Sequence, residues 1–75
     1  MISSIDWQRV ALNLRRQGLP VSTQARAIGM DERTANRFAR GERRRPPDFN
    51  QALRWLDLHF DRCPQRHSLP ELTRA

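Results

Sequence analysis
Apolar residues stand at helical spacing along most of the first sixty residues and thin out after them. Trp7, Val10, Ala11 and Leu14 lie at i, i+3, i+4 and i+7, one stripe of a helix. Its start is expected at Ser3 or Ser4, because Ser3 and Asp6 have the spacing of a capping box. Arg15, Arg16 and Gln17 close it, with Gly18 past its end and Pro20 forbidding continuation. Ser22 is the expected N-cap of a second helix over 23–28. Asp31 is that of a third over 32–40, which Gly41 stops. The stretch 42–47, ERRRPP, reads as an irregular connector held extended by Pro46 and Pro47. Asp48 then caps a fourth helix, with Gln51 at capping-box offset, running to about Arg62 before Pro64. The pattern predicts an all-α fold, a small four-helix domain over 1–63. A polar tail follows over 64–75 and is expected to be flexible, although Ser68 and Glu71 have the offset to cap one more turn.

Residues 21–40, VSTQARAIGMDERTANRFAR, carry the most specific signal. Ala25 is small enough for a neighbouring helix to approach. Gly29 sits where a turn after a short helix needs a left-handed residue. Ile28, Met30, Ala35 and Phe38 would pin the two helices to each other, which describes a helix-turn-helix. The residues left outside that packing are Glu32, Arg33, Asn36, Arg37 and Arg40. In a helix-turn-helix the second helix enters the DNA major groove, so these five are the expected base readers. Arginine forks guanine O6 and N7, asparagine forks adenine N6 and N7, and Arg33 and Arg37 lie one turn apart. Ser22, Thr23 and Gln24 fall at the start of the second helix, where free N–H groups favour a phosphate. Together with Arg43, Arg44 and Arg45 they form the expected phosphate-contacting set. A solvated basic surface would show the same charges, and Arg15 and Arg16 suit either role.

In the fourth helix Phe49, Ala52, Leu53, Leu56 and Phe60 fall within about 100° and are expected to cover the core. Trp55 and Leu58 then stand off that face. Their expected use is as the interface of a homodimer, since a two-fold contact uses one patch twice.

Composition narrows the partners. The chain has 75 residues and a formal charge of +6, from 14 basic against 8 acidic groups. All fourteen are arginine. A GC-rich genome produces that bias, and arginine also forks guanine and phosphate better than lysine does. Such a charge suits a polyanionic partner. The N-terminal stretch has Asp6, Gln8, Arg9 and Asn13 where a secretion signal needs apolar residues, and nowhere is there an apolar run able to span a membrane. One cysteine, Cys63, excludes an internal disulfide and suits the cytoplasm, where the chain is expected to work.

Little else suggests chemistry. His59, Cys63 and His67 repeat every four residues, but Pro64 interrupts the helix that would align them, and no fourth ligand stands near. No metal, cofactor or enzymatic activity is expected.

The residues Ala25, Ile28, Gly29, Met30, Ala35 and Phe38 give the chain a resemblance to the Cro/CI-type helix-turn-helix repressors of phages and mobile elements. In size and layout it is also similar to the small regulators associated with anti-CRISPR genes. The likeness covers roughly residues 7–60. It departs at Gln24, where such proteins usually carry an apolar residue. What the resemblance implies is a homodimer that represses transcription from a palindromic operator in double-stranded DNA. The alternative is the same fold used as a protein-binding inhibitor, its basic helix docked on an acidic host factor. RNA is a weaker third option, since base-stacking aromatics are scarce.

Overall fold
A computed structural model describes residues 5–63. Four helices occupy most of that span: α1 Trp7–Arg16, α2 Val21–Ile28, α3 Glu32–Ala39 and α4 Phe49–Arg62. The all-helical four-helix expectation is met, with no strand among the described residues. Ser3, expected to cap the first helix, and the tail 64–75 lie outside the described residues.

Three helix starts differ in detail from the pattern-based reading. Asp6, rather than Ser3 or Ser4, caps α1, its carboxylate accepting from Arg9 N–H at 3.2 Å. Helix α2 begins at Val21, not after Ser22. Pro20 holds the N-cap position with no side-chain bond, and its carbonyl accepts from Gln24 N–H at 3.0 Å. Burial of Val21 in the core draws the helix start back. Asp48 caps α4 as expected, accepting from Asn50 N–H at 2.8 Å, but Gln51 does not complete a capping box. Its amide instead donates across the molecule to the Gly29 carbonyl at 2.7 Å. Asp31 holds the N-cap position of α3 in extended backbone, without a side-chain bond.

Helix α2 ends as its sequence predicts. Gly29 has φ 75° and ψ 29°, the left-handed region a side chain disfavours. The chain then closes on itself through Met30 N–H to Ala25 C=O at 2.9 Å and Gly29 N–H to Arg26 C=O at 3.4 Å, a Schellman ending. Gly41 repeats the device after α3, with Glu42 N–H on Arg37 C=O and Gly41 N–H on Phe38 C=O. Gln8 of α1 donates to the Ala39 carbonyl at 3.2 Å, so α3 is tied down at its far end as well.

The core gathers Trp7, Val10, Ala11 and Leu14 of α1, Ala25 and Ile28 of α2, Met30, Ala35 and Phe38, and Ala52 and Trp55 of α4. Trp55 is its centre. Trp7 stacks on it with centroids 5.6 Å apart, and Phe38 meets it edge-on at 5.3 Å. This overturns the expected assignment of faces on α4. Trp55 has no solvent exposure and Leu58 packs half-buried against the core, so Trp55 is not an interface residue. Conversely Phe49, Leu53 and Phe60, expected inside, are 63%, 41% and 37% exposed. The physical reason is size and shape. The indole ring offers the largest apolar payload on the helix, and two aromatic partners are placed to receive it.

Candidate nucleic-acid interface
Helix α3 lies against α1 and α2 through Ala35 and Phe38, both without solvent exposure. At 100° per residue that anchoring leaves Glu32, Arg33 and Arg37 on the outer side, all exposed, with Asn36 half-buried beside them. The turn before α3 is braced from two directions. Ala25 and Ile28 hold it from below, while Gln51 grips the Gly29 carbonyl from α4. A helix fixed at both ends and stripped of apolar groups on its outer side is a rigid platform for polar recognition.

The expected base readers are not equally available. Arg33 and Arg37 reach into solvent. Asn36 turns its amide back on its own helix, Nδ2 donating to the Glu32 carbonyl at 3.1 Å, so a fork on adenine requires it to swing out. Arg40 lies just past the last helical residue and pairs with Glu42 at 2.6 Å. Both partners of that pair are exposed.

The expected phosphate contacts divide in the same way. Ser22 and Thr23 stand in the first turn of α2, where backbone N–H groups are unpaired by the helix. Ser22 lines an open cleft of about 520 Å³ together with Arg15, Gly18, Pro20, Val21, Glu32 and Asn36. The structure thus brings the end of α1, the start of α2 and the outer side of α3 to one place. Gln24 is not part of it. Its side chain has no exposure and its amide donates to the Ala11 and Leu19 carbonyls, each at 3.0 Å, while its oxygen accepts from Trp55 Nε1 at 2.9 Å. Both amide hydrogens and the oxygen are thus bonded, the backbone N–H is taken by the Pro20 carbonyl at 3.0 Å, and without exposure Gln24 is excluded from phosphate binding. Arg43 is half-buried with its guanidinium 5.9 Å from the Phe38 ring centroid, whereas Arg44 and Arg45 are exposed.

The sequence did not reveal the two braces, Gln8 on Ala39 and Gln51 on Gly29. Each joins residues far apart in the chain, and a glutamine on a helix carries no local sign of such a task.

The remaining chemistry-bearing groups turn inward. His59 is buried, with Asn13 Nδ2 at 3.4 Å from its Nε2. Cys63 is buried, and burial pushes its thiol pKa up. Among the described residues no three His, Cys, Asp or Glu side chains gather as a metal site, and His67 lies outside them. No helix among the described residues is long and apolar enough to cross a membrane.

Compared with family models, curated proteins and solved structures, the chain has no match.

Proposed function
We propose that the chain is a sequence-specific DNA-binding repressor that places α3 in the major groove and acts as a homodimer on an inverted repeat. The observation that carries this reading is the division of α3 into a buried side, Ala35 and Phe38, and an exposed side carrying Arg33 and Arg37. Arg33 and Arg37 read bases, most favourably guanines, and Glu32 accepts from cytosine N4 where one lies within reach. Ser22 and Thr23 at the start of α2 hold one phosphate, with Arg15 across the cleft, and Arg44 and Arg45 hold the backbone beyond the far end of α3. Repression follows when an occupied operator excludes polymerase from the promoter.

The test is a protection footprint on DNA upstream of the gene. The reading expects an inverted repeat with half-sites about 10–11 base pairs apart, one turn of the double helix. An unprotected upstream region, with retention of an acidic host protein through α3, would transfer the basic helix to the inhibitor reading.

A further inference from the structure
Every large apolar side chain that is strongly exposed among the described residues lies on α4: Phe49, Leu53 and Phe60. With half-buried Leu56 they stand at i, i+4, i+7 and i+11, within about 60° of one another around the helix. That is the spacing of a coiled-coil seam. Its centre lies about 100° round the helix from the core-facing residues Ala52, Trp55 and His59, and Leu56 on its near edge also packs against the core.

The order of the side chains identifies the occupant. Phe-x3-Leu-x2-Leu-x3-Phe reads the same in both directions. A two-fold contact requires that residue i meet residue j and j meet i. In an antiparallel pair of α4 helices, Phe49 would meet Phe60 of the second copy and Leu53 would meet Leu56, each pairing occurring twice. An unrelated partner requires no such symmetry.

Charge permits the same choice. From Asp48 to Arg62 there are three carboxylates against two arginines, while the rest of the chain carries twelve basic and five acidic groups. Two copies approaching through α4 meet on the surface where their mutual repulsion is least. Taking about 200 Å² per side chain, exposures of 63%, 41% and 37% amount to about 280 Å² per copy. A pair then covers about 550 Å² from these side chains, below the roughly 1,200 Å² of stable interfaces. The area fits a reversible dimer and not an obligate one.

We infer that the Phe49–Leu53–Leu56–Phe60 stripe of α4 pairs antiparallel with the same stripe of a second copy. The inference takes its partner from the homodimer reading and is independent of what α3 binds. Sedimentation without DNA is the test, so its failure and that of the DNA reading are separable. The chain should show a concentration-dependent monomer–dimer equilibrium, and Leu53→Asp should weaken it at least about ten-fold without changing the helical spectrum. In a Cys63→Ser background, Phe49→Cys with Phe60→Cys should give a covalent dimer on mild oxidation. Either cysteine alone should not, because like positions sit about 16 Å apart in this arrangement, beyond disulfide reach. A monomer at every concentration, a dimer indifferent to Leu53→Asp, or efficient cross-linking of the single-cysteine chains would each overturn the inference.

Discussion

Trp55 donates its indole N–H to the side-chain oxygen of Gln24 at 2.9 Å, with both side chains sealed from solvent. This bond joins α4 to the first half of α2. Through the other end of the same amide it also reaches the Ala11 and Leu19 carbonyls. Gln24 is therefore a buried polar hub, both of its amide hydrogens and its oxygen bonded.

Removing that hub should cost more than removing an apolar residue of its size. Gln24→Ala strands the indole donor and the Leu19 carbonyl, each at about 1–3 kcal/mol, while the Ala11 carbonyl keeps its helical partner inside α1; water entering the vacated space would lower the total. Trp55→Phe strands only the glutamine oxygen. Urea unfolding of both single variants and the double should show a double variant less destabilised than the sum of the singles. Additive losses would mean that the bond contributes nothing.

At Gly29 the prediction concerns backbone alone. A Cβ there would stand 3.5 Å from Arg54 Nη1, an ordinary contact, so space is not limiting. The left-handed φ is, and Gly29→Ala should cost about 1–2 kcal/mol in urea unfolding with an unchanged slope.

Burial raises the pKa of the Cys63 thiol because it disfavours the thiolate. The favoured neutral form adds stability below the ordinary thiol pKa, and that contribution is lost as pH rises through the folded value. Alkylation of the folded chain should therefore be slower than that of the urea-unfolded chain, with its pH profile displaced upward. Equal rates in both states would refute the burial.

For the connector after α3, Arg44→Ala with Arg45→Ala should weaken specific and random DNA about equally and flatten the salt dependence by up to roughly two units of slope. Arg43→Ala should differ by also lowering stability slightly, since its guanidinium packs by Phe38. Competition binding across a salt series, with unfolding alongside, separates the two.

The parts of this fold that were legible in the sequence are those fixed locally. Gly29 between short helices, the pair Ala35 and Phe38, and the stripe from Trp7 to Leu14 declare themselves within one or two turns. Helix α4 did not, because it is apolar on two sides. Counting apolar residues selects Phe49, Leu53 and Phe60 as the inner face, yet Trp55 wins the core through its partners Trp7 and Phe38. Gln24 was misread for a related reason. A glutamine at a helix start resembles a solvent-facing residue until the indole and carbonyls that it serves are brought beside it by chain 5, 13 and 31 residues away. The exposed side of α3 carrying Glu32, Arg33 and Arg37 was legible; the bond of Asn36 to Glu32, a matter of rotamer, and the pairing of Arg40 with Glu42 beyond the helix end were not.

The most direct test of the central claim is quantitative binding of Arg33→Ala and Arg37→Ala to the footprinted operator and to random DNA. A forked guanine contact supplies about 1–3 kcal/mol of discrimination. Each substitution should therefore weaken operator binding by about ten- to a hundred-fold, relax preference at one base pair per half-site, and change random-DNA affinity far less. Operator affinity unchanged in both variants, with their folds intact, would contradict the assignment of α3 as the reading helix.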